Sequence, residues 1–232
     1  MVEAPIRMLC AGAARAGATE LAQTFARDGG REVALEFGTA GMIRSKMREG
    51  ARPDVAAATR AVIAELQQEG LLAPGTAVDL GTTGVGLAVR AGAPQPDISS
   101  VDAFRHALLA AQSVACIDPA SGGTSGIHFA AVLQRLGIAR EVDAKSVRVF
   151  GGYAAERVAR GEAELVVQLV CELVPVKGVS LVGPLPEELQ LYTTYTAALA
   201  DAGDAGARAW LDFLAGPAGR RSFASNGLEA PR

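Results

Sequence analysis

The sequence predicts an α/β protein of two lobes, each a mainly parallel sheet flanked by helices, with two crossings of the chain between them. Three observations predict it. Short apolar segments alternate with segments of helical periodicity. Small-residue turns repeatedly separate a strand from the helix that follows. A long, glycine-punctuated β-prone run, Leu80–Arg90, is answered much later by a return strand, Leu191–Ala198. A length of 232 residues accommodates two modest domains. The expected division is residues 1–83 with 192–232 in lobe 1 and 84–191 in lobe 2, with a ligand cleft between the lobes.

Each element has a local reason. Ile6–Cys10 is a short apolar run that reads as a buried strand, and Leu21, Ala22 and Phe25 give the segment that follows a helical face up to the stop at Gly29-Gly30. Val33–Phe37 is a second strand, followed by the turn Gly38-Thr39-Ala40-Gly41 and a helix over Met42–Glu49. Val55–Ala58 is a third strand, and Thr59 caps a helix that runs to Glu69. Three successive βα units imply a parallel sheet. In the second half, Pro94 and Pro96 forbid helix, and Ser99 or Ser100 caps a helix over Val101–Ala111. Val114–Ile117, Val147–Phe150 and Leu165–Val170 read as strands, Ile127–Leu136 and Ala154–Arg160 as helices, and Ala207–Leu214 as a closing amphipathic helix.

Charge and composition exclude several classes. Lys plus Arg number 22 against 25 Asp plus Glu, a net charge of −3, so no broad basic surface exists to neutralise a nucleic-acid backbone. The apolar stretch Leu165–Val176 is interrupted by Gln168 and Glu172 and falls short of the roughly 20 residues a spanning helix needs. Membrane insertion is not expected. The three cysteines, Cys10, Cys116 and Cys171, lie singly in apolar runs, which reads as buried free thiols rather than a disulfide or metal framework. No metal and no cofactor is expected. Ser121–Gly126 has no lysine to make it a Walker A loop, and Gly84-Val85-Gly86 leads into more strand-like sequence rather than a helix.

Three loops place small and hydroxyl residues where a strand ends and a helix begins: Ala11–Ala14, Gly38–Gly41 and Ser121–Gly126. The first amides of a helix lack intrahelical partners and carry partial positive charge, so such loops suit a small oxyanion or carboxylate. The ordinary alternative for each is a tight turn with a helix cap. Ser121-Gly122-Gly123-Thr124-Ser125-Gly126, with three hydroxyls among three glycines, is the richest. Arg15, Arg44 and Lys46 follow two of the loops and suit a carboxylate or an exposed helix face. Glu172 and His128 are the weak candidates for proton transfer, against a hydrogen-bonded carboxylate and an ordinary helix position. His106 reads as solvent-facing, and Tyr192 and Tyr195 as ring-buried residues of the return strand.

Three runs carry a family resemblance: Asp118–Phe129, Val89–Ser100 and Val182–Tyr192. Through them the chain resembles the molybdate-binding-protein-like group of bacterial extracellular solute-binding proteins. The resemblance implies a two-lobed type II periplasmic binding fold that holds a small anionic ligand. It implies ligand contacts at Ala13, Ala14, Thr39 and Ser121 through Ser125, so including Thr124, with others near Gly151 and the strand around Gln168. Two positions depart from the molybdate binders: Ala11-Gly12-Ala13-Ala14 lacks their first-loop serine, and Leu169 stands at their tyrosine. The group also resembles an aconitate-isomerase-like branch, which implies as an alternative a cofactor-independent isomerase of a small unsaturated polycarboxylate.

Location and partners follow from the same reading. Met1-Val2-Glu3-Ala4-Pro5 shows no basic segment followed by an apolar one and a cleavage site, so the chain as written is expected in the cytoplasm, or in the periplasm if a leader has been removed. The membrane subunits of an ABC transporter are expected partners only in the exported case.

Overall fold

The computed structural model describes residues 3–230. Met1 and Val2, part of the start from which location was read, lie outside the described residues, as do residues 231 and 232. The chain divides into two compact units, Met1–Thr82 with Thr193–Arg232, and Thr83–Tyr192.

The first unit opens with β1 (Ile6–Ala11), α1 (Arg15–Arg27), β2 (Val33–Gly38), α2 (Ala40–Arg48), β3 (Val55–Thr59), α3 (Arg60–Gln68) and β4 (Val78–Thr83). The second unit carries β5 (Val85–Arg90), α4 (Val101–Ala110), β6 (Val114–Ile117), α5 (Thr124–Arg135), α6 (Ala139–Asp143), β7 (Ser146–Val149), α7 (Ala155–Ala159), β8 (Leu165–Leu169), α8 (Val170–Leu173) and β9 (Val179–Pro184). The chain then returns through β10 (Thr193–Leu199), α9 (Ala205–Ala215) and α10 (Pro217–Ser225).

Two five-stranded mixed sheets result, in the orders β2-β1-β3-β10-β4 and β7-β6-β8-β5-β9. In the first, β2, β1 and β3 are parallel and β10 runs antiparallel to β3. In the second, β7, β6 and β8 are parallel and β5 is antiparallel to both β8 and β9. Each sheet thus owes its parallel core to consecutive βα units, and its antiparallel strand to a segment beside which the chain passes between units. This agrees with the α/β expectation of helix-flanked sheets and adds an antiparallel strand to each.

The first core closes on aromatic rings. Phe25 of α1 lies 5.3 Å from both Trp210 and Phe213 of α9, and the buried Trp210 indole N–H meets the Met8 sulfur at 3.2 Å. One core cluster of the second unit is small-chained, with Ala88, Ala115, Ile117, Ala154, Ala155, Val158, Val166 and Leu173 packed together. Alanines at these positions let short helices approach the sheet closely.

Several elements differ from expectation. The predicted single strand Leu80–Arg90 breaks at Gly84, whose carbonyl accepts from Val170 N at 2.9 Å. The Gln190 carboxamide then takes both the N–H of Val85 (2.8 Å) and its carbonyl (2.9 Å), acting as a surrogate strand where the segment changes sheets. The helix placed at Ile127 starts at Thr124, so half of the expected loop is a first helical turn. Glu172, which follows the expected strand Leu165–Val170, sits with Cys171 in the single turn α8. Strand β9 and helices α6 and α10 were not anticipated; no residue of β9 is fully buried, and its pattern has little alternation to mark it.

Candidate functional site

In the first unit the three parallel strands deliver their carboxyl ends to one edge, as the register pairs Ala11 with Gly38 and Cys10 with Ala57. At this edge β1 runs into a 3-10 turn, Gly12–Ala14, in which Ala13 and Ala14 are buried. β2 runs into Thr39, whose Oγ1 accepts from Met42 N at 3.1 Å and caps α2. β3 runs into Thr59, whose hydroxyl caps α3 from Val62 N at 3.4 Å. Sequence reasoning read Thr59 only as a cap. Its place at the same edge as Thr39 depends on strand pairing, which a linear pattern does not show. The buried Tyr195 is paired with Thr59 across β10 and β3.

Arg15 is the first residue of α1, and its guanidinium carbon lies 4.3 Å from the centroid of the Phe37 ring. Stacking on an aromatic face fixes the plane of the guanidinium. Its charge also reaches Cys10, whose thiol is pushed up to about 12 by burial, with Arg15 acting in the opposite sense. Arg44 and Lys46 are committed on the surface, Arg44 to Glu65 at 3.5 Å and Lys46 to Glu36.

In the second unit the carboxyl ends of β6, β7 and β8 also share an edge. After β6, Asp118 Oδ1 accepts from Ala120 N at 2.9 Å, and Ser121 Oγ donates to the Asp118 carbonyl at 2.8 Å. The Ser121 hydroxyl proton is therefore spent in the turn. Gly122 then takes a left-handed conformation (φ 70°), and Gly123 caps α5. The first-turn amides of Ser125 and Gly126 have no intrahelical carbonyl to reach. Gly126 is required by packing: a Cβ there would lie 2.4 Å from the Ile117 carbonyl oxygen. That close approach seats the start of α5 directly on the end of β6.

After β7 the chain makes the loop Phe150-Gly151-Gly152-Tyr153-Ala154, with Phe150 60% exposed. Gln168 of β8 is fully buried, its Oε1 accepting from Ala155 N at 3.2 Å and its Nε2 donating to the Gly152 carbonyl at 3.1 Å. Glu172, 8% exposed, lies in α8 at the end of β8. The Cys171 thiol beside it is pushed up mainly by its own burial, and further by the Glu172 charge.

His128 is tied to the backbone near the end of the second unit. Its Nε2 lies 2.7 Å from the Leu189 carbonyl, which only accepts, so that nitrogen carries the proton. His106 is exposed on α4. Tyr192 is 39% exposed and donates to Glu187 at 3.2 Å. Of the residues singled out in the sequence, the first unit gathers Ala13, Ala14, Arg15 and Thr39 at its carboxyl edge. The second gathers Ser121, Thr124, Ser125, Gly151, Gln168 and Glu172 at its own.

A pocket of ≈ 340 Å³ in the first unit is lined by Arg7, Leu9, Ala34, Glu36, Arg52 and neighbours, away from these junctions. Its charged groups are internally matched: Arg7 with Asp54, Glu36 with Lys46, and Arg52 with the Met47 and Ala51 carbonyls. Among the described residues no three His, Cys, Asp or Glu side chains group to hold a metal ion.

Comparison with known proteins adds four findings. The family model described as bacterial extracellular solute-binding protein matches residues 6–229. An aconitate isomerase from Pseudomonas sp is 34% identical over 190 residues, covering 81% of this chain and 71% of that one. The fold matches the Azotobacter vinelandii periplasmic molybdate-binding protein with a TM-score of 0.80 at 18% identity, over 98% of this chain and 100% of that one. It also matches a periplasmic thiamin binding protein with a TM-score of 0.73 at 15% identity, over 99% and 83% of the two chains. At such identities, neighbours named for such different ligands speak for the fold alone.

Proposed function

Because this chain belongs to the bacterial extracellular solute-binding protein family, we propose that it binds a small anionic organic solute, a carboxylate, through amides and hydroxyls at the carboxyl ends of its parallel strands. The observation that carries this is the Gly123–Gly126 start of α5. Its first-turn amides stand beside the Thr124 and Ser125 side chains, and small residues let an anionic oxygen reach the backbone. Within the first unit, Arg15 stacked on Phe37 gives the carboxyl edge of that sheet a cation of its own. An organic anion is favoured over molybdate because the 34% identical relative is named for aconitate and the first loop has alanines where the molybdate binders use serine.

Calorimetric titration tests the assignment. With trans-aconitate as probe, Thr124→Ala combined with Ser125→Ala lowers affinity by about tenfold or more, the equivalent of about 1.4 kcal/mol. Unchanged affinity removes the α5 loop from the site.

A second reading, isomerisation of a small unsaturated polycarboxylate, is favoured by the buried Glu172 together with that relative. In such a step a carboxylate base takes a proton from the CH₂ next to the double bond, the double bond shifts by one carbon, and a proton returns at the far alkene carbon. No cofactor is consumed, and electrons balance within the substrate. Proton NMR of aconitate in deuterated water then shows loss of the CH₂ signal or a new isomer with wild type, and neither with Glu172→Gln. An unchanged spectrum at high protein concentration leaves the chain a binder. Delivery to ABC-transporter membrane subunits is the partner reading for an exported form. Among the described residues no helix is long and apolar enough to cross a membrane.

A further inference from the structure

We propose that Gln168 is a positioning residue for the ligand site, one that holds the Phe150–Ala154 loop in its binding shape without touching the solute. The proposal rests on the carboxylate-binding reading and replaces the direct contact that family resemblance implies at this strand.

Gln168 is fully buried in the middle of the second unit, on a strand whose other residues are all apolar. A polar side chain there persists only if its hydrogen-bonding capacity is used. It is used on the protein itself. Oε1 takes the Ala155 amide at 3.2 Å, at the start of α7, and Nε2 gives to the Gly152 carbonyl at 3.1 Å, inside the loop. One rigid carboxamide thereby spans both ends of Gly152-Tyr153-Ala154.

The loop needs such a tie. Gly151 and Gly152 give its backbone wide freedom, and it carries Phe150 largely in solvent. Ordering a free glycine pair on binding costs backbone entropy, which a loop ordered beforehand avoids at the binding step. The pattern of one acceptor and one donor is specific to an amide. Leucine supplies neither, and ionised glutamate keeps the acceptor but sets a negative oxygen against the Gly152 carbonyl. Protonated glutamate restores both, having one accepting oxygen and one O–H.

The test uses the full chain in two measurements. Hydrogen–deuterium exchange of the ligand-free protein follows the segment 150–155 in wild type, Gln168→Leu and Gln168→Glu, each compared with wild type at pH 5 and pH 8. Calorimetry with trans-aconitate follows affinity in the same samples. The expected result is faster exchange of the segment and an affinity loss of about tenfold in Gln168→Leu at both pH values. Gln168→Glu shows the same defects at pH 8 and recovers towards wild type on both measures at pH 5. Recovery in the ligand-free protein is a signature that a contact made only to the ligand does not give, and it also shows that the glutamate variant folds.

Wild-type exchange rates in both variants at both pH values, with affinity reduced, would overturn the proposal by making Gln168 a direct contact. Faster exchange with wild-type affinity also overturns it, since the loop would then not serve the ligand. Failure of wild type itself to bind the tricarboxylate sinks the solute reading instead, and ligand-free exchange still decides whether Gln168 holds the loop.

Discussion

At the residue scale, the hydrogen-bond partners of a side chain decide what it can do for a ligand. Ser121, His128 and Gln168 all look like ligand groups in a linear reading, yet each has a proton committed to a backbone carbonyl: Ser121 to Asp118, His128 to Leu189 and Gln168 to Gly152. Thr124 and Ser125 stand at the first turn of α5, whose amides have no carbonyl one turn back to reach. The cysteines show the same dependence on surroundings. Burial pushes Cys10 up to about 12 and Cys116 up to about 11, the nearby Arg15 and Arg148 charges only partly opposing it, and burial raises Cys171 as well. Since the thiolate is the reactive form, Ellman's reagent at pH 8 is expected to leave the native protein unlabelled and to titrate all three thiols once it is unfolded. Rapid labelling of a native cysteine would show a local opening that the packing does not suggest.

At the element scale, helix starts are where local sequence speaks most clearly. Thr39, Thr59, Ser100 and Asp204 each cap a helix with a side-chain oxygen, and each is a residue type whose short polar side chain suits that geometry. Asp204 has a further consequence for acid stability. The Ala207 amide it accepts lowers its carboxyl below the ordinary 3.8, partial burial opposes this, and the Arg31 guanidinium adds to the lowering. With the folded value depressed, the unfolded chain binds the proton first. The contribution is therefore fully present above 3.8 and is lost as pH falls through the folded value. Asp204→Ala is expected to cost about 1 kcal/mol in urea unfolding at neutral pH. The gap to wild type should close in strong acid, and a gap that stayed constant would show that the carboxylate charge contributes nothing to the cap.

Helix and strand ends were less legible where two signals compete. Ser121–Gly126 carries three glycines and reads as a loop, but only Gly122 uses a left-handed backbone; Gly126 is there because α5 leans on Ile117. Composition cannot separate a glycine chosen for its φ from one chosen for contact. The break at Gly84 is similar, because the partner that ends the strand, Gln190, is distant in sequence.

At the scale of the whole molecule, the sequence by itself determined the alternation of strands and helices, the small-residue junctions that follow the parallel strands, and a net charge of −3. These are properties of periodicity, local caps and charge count, which act over a few residues and can be read in a line. Only the tertiary structure decided which junctions share an edge, that Thr59 stands with Thr39, and that an antiparallel strand completes each sheet. It also decided that the Gln168 carboxamide bonds the Ala155 amide and the Gly152 carbonyl. The physical reason is that a hydrogen bond is assigned by proximity in space. Strand register and burial create that proximity between residues many positions apart, and no local pattern records which partner has taken the proton.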